Sequence, residues 1–330
     1  MTYVVTGASG FVGAAVARRL AAAGNPIRLV VRQTSSRRNL EGLDAEIVLA
    51  DITDRDSLRR AFKGATAIFH VAADYRLWTR DPRPMFLANV DGTRNVMFAA
   101  LEAGVNRVVY TSSVATLGID ADGSPADEDT PSDFDMMIGS YKQSKFQAEA
   151  EVRRLVAEEG LPAVIVNPST PVGPGDVRPT PTGRLVLEAA AGKMPAFVDT
   201  GLNIVHVDDV AEGHLLALEH GTVGERYILG GDNMTLRDIL IEIDAITGRG
   251  GPKFRIPHGV VLPIAYMVEA WTRLTGGDDP FVTVDGAKLA RKKMFFLSDK
   301  AIRDLNYSAR SARQAFRDSI AWFRAEGYLN

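Results

Sequence analysis

The chain has 330 residues, which is long enough for one large α/β domain that carries a second lobe. Charged residues make up 24% and hydrophobic residues 46%, so the disordered and fibrous classes are excluded. The formal net charge of −3 argues against nucleic acid as a partner. Because cysteine is absent, disulfides, iron–sulfur clusters and thiol nucleophiles are excluded, and no metal site is predicted.

The segment from position 2 to position 17 is uncharged and resembles a signal peptide at first sight. It lacks a basic n-region and contains glycines, so a strand followed by a glycine turn explains it better. Elsewhere no run reaches the ~18 apolar residues that a membrane-spanning helix needs. We therefore expect a soluble, cytoplasmic protein without a transmembrane segment.

Short apolar runs alternate with helical patterns through the first half of the chain. The predicted strands are residues 3–5, 29–31, 47–49, 68–71, 108–110 and 164–166. Their nearly continuous apolar character is typical of parallel strands that are buried on both faces. Helical stretches at 11–23 and 84–103 end at Gly24 and Gly104. The pattern predicts an α/β fold with a doubly wound parallel sheet, the Rossmann fold.

The alternation of strands and helices ends after the sixth strand, where residues 168–182 have the proline- and glycine-rich composition of a loop. Residues 204–207 are predicted to be a strand that returns to the main domain. A helix capped by Asp208 or Asp209 should follow it and stop before Gly221. We expect residues 1–169 and 204–232 to form a dinucleotide-binding Rossmann domain, and residues 170–203 and 233–330 a smaller C-terminal substrate-binding lobe.

A glycine turn joins the first strand to the first helix. Gly7, Gly10 and Gly13 let the backbone turn sharply and approach a pyrophosphate, whose charge rests on helix N-terminal amides. The predicted contacts of this turn with a dinucleotide are Gly7, Ser9, Gly10, Phe11 and Val12.

The end of the second strand distinguishes NADP from NAD. Arg32 stands where an NAD-binding chain would carry a carboxylate, and Arg38 follows soon after. A guanidinium suits a 2′-phosphate, so NADP is the predicted cofactor and NAD the alternative. The other predicted contacts are Asp51 and Ile52 against the adenine, and Ala72 and Ala73 on the ribose side.

Tyr141 and Lys145 share one face of a predicted helix at i, i+4. A neighbouring ammonium favours phenolate, so Lys145 is expected to lower the pKa of Tyr141. Tyr141 could then exchange a proton with a substrate oxygen while hydride moves to or from carbon. Lys145 should also hold the nicotinamide ribose.

Ser113, at the end of the fifth strand, is expected to orient the substrate oxygen, with Ser112 as its substitute. The predicted catalytic residues are Ser113, Tyr141 and Lys145.

These residues together resemble the extended short-chain dehydrogenase/reductase family, and the resemblance covers nearly the whole chain. Within that family, segments 31–32 and 110–116 are similar to dihydroflavonol-4-reductase-like proteins. Segments 72–78 and 167–174 resemble the bacterial group called hopanoid-associated sugar epimerases.

The resemblance implies further features of the site. Pro168 and Thr170 should lie against the nicotinamide, and a homodimer should form through the helices at 84–103 and 136–159. Sugar-nucleotide dehydratases of this family carry an Asp-Glu pair just after the serine position. Here Val114 and Ala115 follow Ser113, so dehydration is set aside.

The leading hypothesis is an NAD(P)-dependent oxidoreductase that transfers hydride at a carbonyl/alcohol carbon of a small or lipid-linked substrate, with Tyr141 as acid/base. The hopanoid resemblance connects it with lipid biosynthesis. The alternative is an NAD-dependent sugar epimerase, which would use the same groups on a transient keto-sugar. A second alternative is a non-catalytic NADP(H)-sensing protein.

Three further segments are considered for contacts with the substrate or for a structural role. Residues 74–80 follow the fourth strand at the edge where such sheets bind ligands, and Arg76 and Trp78 could grip a substrate there. The apolar stretch 260–271 is assigned to the core of the lobe, with a pocket wall or a membrane contact as alternatives. The basic run 291–293 is assigned to a solvated face.

Overall fold

The computed structural model describes residues 1–120, 122–275, 280 and 282–329. Its centre is a parallel sheet of seven strands in the order β10-β6-β5-β4-β1-β2-β3. The strands are β1 Thr2–Thr6, β2 Ile27–Val31, β3 Glu46–Leu49, β4 Ala65–His70, β5 Arg107–Thr111, β6 Ala163–Pro168 and β10 Arg226–Leu229. The predicted doubly wound Rossmann sheet is confirmed.

Helices cover both faces of this sheet because successive apolar residues of each strand point to opposite sides. Val5 and Phe69 belong to the core on one face, and Val4 and Ile68 to the core on the other. The first face packs against α1 Phe11–Ala22, α7 Val207–His220 and α11 Asp299–Leu305. The second face packs against α2 Arg55–Phe62, α4 Gly92–Ala103 and α5 Ser140–Glu159.

The helix predicted at 84–103 is present but not uniform. It begins as α3 Arg83–Phe86, passes through a π-helical segment at Leu87–Asp91 and continues as α4. Gly92 lies where this helix meets the loop after β3, since a Cβ there would come within 2.8 Å of Ile52 Cδ1. The close approach brings the helix onto the edge of the sheet that carries the predicted cofactor residues.

A second sheet organises the smaller lobe. It contains β11-β9-β13, with β7 also paired to β9. Its strands are β7 Thr170–Val172, β9 Gly201–His206, β11 Asp232–Thr235 and β13 Lys293–Met294. A separate strand pair consists of β8 Ala196–Phe197 and β12 Phe254–Arg255. The lobe helices are α6 Pro181–Ala190, α8 Leu236–Thr247, α9 His258–Thr275, α10 Val284–Leu289 and α12 Ala312–Ala325.

Two local predictions around residue 206 are wrong. The strand predicted at 204–207 forms as β9 but joins the lobe sheet, and β10 takes the place in the main sheet beside β6. The helix that follows is capped not by Asp208 or Asp209 but by His206, whose Nδ1 accepts the Asp208 N–H at 3.0 Å. His206 Nε2 lies 3.2 Å from Asp318 Oδ2, so this histidine is structural.

In the described ranges, no helix combines the length and apolar character needed to cross a bilayer.

Candidate active site

The glycine turn forms a cradle that side chains would fill. Gly7 has φ +71°, and a Cβ on it would lie 2.6 Å from Ala72 Cα. A Cβ on Gly13 would lie 2.2 Å from the Gly7 carbonyl oxygen. Gly10, the N-cap of α1, supplies no side-chain cap, so the first-turn amides remain available to an anion. These residues fit the pyrophosphate of a dinucleotide.

The predicted cofactor residues lie along one edge of the sheet, at the carboxyl ends of β1, β2, β3, β4 and β6. Ala72 follows β4 directly against Gly7, and its N–H donates to Thr6 Oγ1 at 3.4 Å. The carbonyl of Ser9 accepts a bond from Asn39 at 3.3 Å, which fixes the turn. Phe11 and Val12 are half-buried against the core beneath them.

Arg32 and Arg38, the two arginines predicted at the adenosine end, differ in whether they are paired with a carboxylate. The Arg32 side chain is exposed, and within the described residues it makes no ion pair. Arg38 forms an ion pair with Glu326 and donates to Tyr328 Oη at 3.5 Å. Tyr328 in turn donates to the carbonyl of Val177 at 2.7 Å.

The acidic residue beyond β3 is held in a local turn. Asp51 Oδ1 accepts from the N–H of Thr53 at 2.9 Å and from its hydroxyl at 2.7 Å. Ile52 packs on Gly92 of the neighbouring helix. Both residues are half-buried at the sheet edge, where the sequence placed the adenine.

Ser113 and Tyr141 meet at the end of β5. Tyr141 is the second residue of α5, and Ser113 follows β5 with its Oγ accepting the Ala115 N–H at 3.1 Å. Burial raises the pKa of Tyr141, while a hydrogen bond with Ser113 opposes that rise. The two hydroxyl groups are therefore within reach of one shared substrate oxygen.

The ammonium of Lys145 is held by the strand β5. Its Nζ donates to the carbonyl of Thr111 at 2.8 Å and to Tyr110 Oη at 3.2 Å. Burial lowers the pKa of Lys145 to about 8, and Glu149 opposes that effect. The prediction that Lys145 lowers the pKa of Tyr141 is thus not met in this structure, because burial dominates and the ammonium is turned to Thr111.

A buried carboxylate that the sequence analysis missed supports the site from below. Glu149 accepts bonds from Ser112, from Thr116 Oγ1 at 2.9 Å and from Asn167 Nδ2 at 2.9 Å. Arg226 Nη1 completes the cluster, 3.2 Å from Glu149 Oε1. Since Ser112 is committed to this carboxylate, Ser113 is the serine available to a ligand. The signal was present in the sequence, because position 149 continues the i, i+4 series of 141 and 145.

The turn after β6 carries polar atoms that lack partners. Asn167 Oδ1 and Ser169 Oγ are buried without a hydrogen-bond partner among the described residues. Buried polar atoms are normally satisfied, so these two atoms are candidates to hydrogen-bond a ligand. They lie beside Pro168 and Thr170, and an acceptor and a hydroxyl suit the carboxamide of a nicotinamide ring.

In the loop after β4, one of the two predicted substrate residues is paired within the loop itself. Arg76 pairs with Asp74 through a bond of 3.0 Å from Nε, so Arg76 is not held ready for a substrate. Trp78 has a buried Nε1 that finds no partner in the described part of the chain. Arg178 and Arg184 are exposed near Tyr75.

A nucleotide cradle at the edge of a parallel sheet, next to a serine, a tyrosine and a lysine, is the arrangement of nicotinamide-dependent short-chain dehydrogenases of the extended type. The chain belongs to the NAD dependent epimerase/dehydratase family, whose model matches residues 3–230, and it is an enzyme of the dihydroflavonol-4-reductase-like branch.

Three relatives illustrate this membership. A Synechocystis sp. protein named "Putative dihydroflavonol 4-reductase" is 43% identical over 99% of this chain and 96% of its own. "Sterol demethylase protein B" of Methylococcus capsulatus is 36% identical over the full length of both chains. The crystal structure of gox2253 superposes with a TM-score of 0.90 at 53% identity, covering 100% of this chain and 99% of that one.

Proposed function

We propose that this protein is an NADP(H)-linked oxidoreductase acting on a carbonyl/alcohol carbon, with Tyr141 as the acid/base. The observation that carries the proposal is that Ser113 lies near enough to the buried Tyr141 to oppose the rise of its pKa, at the sheet edge that bears the glycine cradle. When bound, the nicotinamide supplies or accepts the hydride. Residues of this chain donate the proton and orient the substrate oxygen.

The protonation state of Tyr141 favours the reductive direction. Because burial raises the pKa of its phenol, Tyr141 keeps its proton at neutral pH and can donate it to a carbonyl oxygen as that oxygen gains charge. Ser113 orients that oxygen by a second hydrogen bond. Lys145, whose pKa is about 8, supplies a buried positive charge one helical turn after Tyr141.

The preference for NADP rests on the exposed guanidinium of Arg32 at the end of β2. No carboxylate competes for it within the described residues, so it is available to a 2′-phosphate. NAD remains the alternative cofactor, because Arg38 is already paired with Glu326.

The substrate we propose is small or lipid-linked, and a place in hopanoid lipid biosynthesis follows from the resemblance described above. The name of the sterol demethylase relative supports a lipid of the triterpenoid class. A sugar epimerase is the second candidate, because the matched family includes epimerases by its description. A retained NAD without net redox change would identify the epimerase, whereas stoichiometric NADPH consumption would identify the reductase.

The test is turnover of NADPH with a set of sterol and triterpenoid ketones and of small ketones, compared between the wild type and Tyr141→Phe. We expect the variant to bind NADPH normally and to lose about 100- to 10,000-fold in kcat. If Tyr141→Phe turns over every accepted substrate at the wild-type rate, or if no substrate is ever turned over, the proposal is wrong.

A further inference from the structure

The helix α9 of the smaller lobe carries large apolar side chains on its outer face. Five of them are spaced four, three, four and three residues apart, so they lie on one stripe of the helix. Their exposed fractions run from 41% for Ile264 to 85% for Leu274. The apolar stripe consists of Val260, Ile264, Met267, Trp271 and Leu274. A continuous exposed apolar surface of this kind commonly marks a binding surface.

The opposite face of α9 already has its packing partner. Ala265 is fully buried, and with Val261 and Leu262 it packs against Val284 and Ala287 of α10. This contact holds the helix to the lobe. The apolar stripe is therefore left on the outside of the molecule.

The segment around α9 is basic, although the chain as a whole is acidic. Residues 249–293 contain eight lysines and arginines against four aspartates and glutamates, a net charge of +4, whereas the whole chain has −3. Lys253 and Arg255 are exposed on either side of Phe254 in the chain, and Phe254 is itself an exposed aromatic residue. Basic and apolar side chains thus occur together on this part of the surface.

Contacts at the start of α9 bring the basic residues next to the helix. Arg255 pairs with Asp199 at 2.7 Å, and Nε2 of His258, the first residue of α9, lies 3.0 Å from the Asp199 carbonyl oxygen. Glu269, the acidic residue of α9, is turned to α10, where its Oε1 accepts the Val284 N–H at 2.5 Å. The start of the helix is therefore positively charged on its outer side.

We propose that α9, together with Lys253, Phe254 and Arg255, docks this protein on the surface of an anionic lipid bilayer without crossing it. An amphipathic helix in the membrane interface buries its apolar stripe at the acyl boundary, while nearby basic side chains contact the anionic headgroups. A second copy of the chain fits less well, because it would bring the same net positive charge against itself. The inference goes beyond the proposed reaction and does not depend on it.

The docking surface adjoins a loop on the substrate side of the main sheet. Arg80, in the loop after β4, donates from Nη2 to the carbonyl of Thr272 in α9 at 3.2 Å. Tyr75 and Leu77 of the same loop are exposed. Docking through α9 should therefore bring this loop close to the lipid surface.

The binding test is co-sedimentation of the full chain with lipid vesicles. One preparation is phosphatidylcholine alone, and the other contains about 30% phosphatidylglycerol, which makes it anionic. We expect the wild type to bind the anionic vesicles and to bind phosphatidylcholine much more weakly. Raising the sodium chloride concentration should reduce binding to the anionic vesicles, because salt screens the attraction of the basic residues.

The contribution of the apolar stripe is measured with Met267→Gln/Trp271→Gln. Loss of two apolar side chains from the interface should weaken vesicle binding by about tenfold to a hundredfold. Ile302→Gln is the matched control, since Ile302 is an exposed apolar residue of α11, and it should bind as the wild type does. Because all three side chains are exposed, Tm should stay unchanged in both variants.

The contribution of the basic residues is measured in the same way. Lys253→Gln/Arg255→Gln should weaken binding to the anionic vesicles by about five- to thirtyfold, since each basic side chain near an anionic surface adds to the attraction. Lys63→Gln, which removes an exposed lysine from the turn before β4, should have no effect.

Tryptophan fluorescence tests whether α9 itself enters the interface. Brominated phospholipids in the anionic vesicles should quench Trp271 in the wild type. Trp271→Phe keeps an aromatic side chain at this position, so it should still bind the vesicles but lose most of the quenching. Undiminished quenching in Trp271→Phe would mean that Trp78 or Trp322 contacts the lipid, and it would overturn the assignment to α9.

Three other results would contradict the proposal. Wild-type binding to neither vesicle preparation would overturn it. Equal binding to both preparations would overturn it as well, since the basic residues would then contribute nothing. Sedimentation velocity without lipid tests the remaining occupant: an oligomer that Met267→Gln/Trp271→Gln dissociates would show that a second copy of the chain covers α9.

Discussion

Glu149 Oε2 accepts a hydrogen bond of 2.9 Å from Asn167 Nδ2, which joins the middle of α5 to the end of β6. The Asn167 amide also donates to the carbonyl of Ser113 at 3.0 Å. The end of β5, the turn after β6 and the helix of Tyr141 are thus held together by one buried carboxylate. The site depends on this connection for the distance between Ser113 and Tyr141.

Replacing that carboxylate should cost stability. Glu149→Gln removes the counter-charge of Arg226 and leaves a buried cluster unsatisfied, so we expect the free energy of unfolding to fall by about 3 kcal/mol. Glu158→Gln, on the exposed side of the same helix, should change it by less than about 0.5 kcal/mol. Urea denaturation measures both. An effect of Glu149→Gln no larger than that of Glu158→Gln would mean that the cluster does not stabilise the site.

The glycine cradle predicts the effect of one added methyl group. Gly13→Ala places a Cβ 2.2 Å from the Gly7 carbonyl oxygen, so the turn must shift away from its ligand. Because overpacking of this kind costs about 1–3 kcal/mol, NADPH should bind roughly five- to a hundredfold more weakly. Gly259→Ala in α9 is the control, since nothing lies within 4 Å of its added Cβ. Fluorescence titration measures both, and unchanged NADPH binding in Gly13→Ala would contradict the assignment of this turn.

The pairing of Arg38 with Glu326 gives a prediction for cofactor selection. Glu326 competes with a 2′-phosphate for this guanidinium, so Glu326→Gln should tighten 2′,5′-ADP. An exposed ion pair contributes little, so we expect the affinity to rise by at most about fivefold. Affinity for 5′-AMP, which lacks the 2′-phosphate, should not change. Arg32→Asp should weaken 2′,5′-ADP alone. Equal affinities of the wild type for NADPH and NADH would contradict the choice of NADP.

Two buried histidines predict how stability depends on pH. Burial lowers the pKa of His214 to about 4, with Nδ1 donating to the Val210 carbonyl at 2.7 Å, and that of His70 to about 3. The unfolded chain binds these protons near pH 6.5 and the folded chain does not, so stability is lost as pH falls below 6.5. Asp176 acts oppositely, since burial raises its pKa to about 6.

The histidine contribution is isolated by comparing variants. Between pH 7 and pH 5, His214→Gln should lose about 2 kcal/mol less of its unfolding free energy than the wild type loses. Chemical denaturation at the two pH values measures the difference. Parallel losses in both proteins would show that His214 is protonated in the folded state.

Local pattern was sufficient for the first six strands of the main sheet and for the glycine turn, but not for β10. Buried parallel strands leave apolar runs in the sequence. The three glycines of the turn lie within a few residues of one another, and so do Tyr141 and Lys145. The strand at β9 could not be assigned to its sheet in this way. An apolar run at 204–207 looks the same whichever neighbours it pairs with, and its partners β7, β11 and β13 come from distant segments.

The hydrogen-bond and ion-pair partners of side chains could not be predicted from the local sequence pattern either. The i, i+4 spacing places Lys145 on the face of Tyr141, but the carbonyl of Thr111 and the hydroxyl of Tyr110 hold its ammonium. Arg38 is paired with a residue 288 positions away.

The chain passes repeatedly between the main sheet and the lobe, from β6 to β7, from β9 to α7, from β10 to β11 and from β13 to α11. A main sheet and a lobe that are joined by several short connections cannot easily rotate about a hinge, whereas two domains joined by one linker can. We therefore expect substrate exchange to depend on rearrangement of surface loops rather than on opening of a hinge. Spectroscopic labels on the two bodies should therefore report nearly constant separation through the reaction cycle.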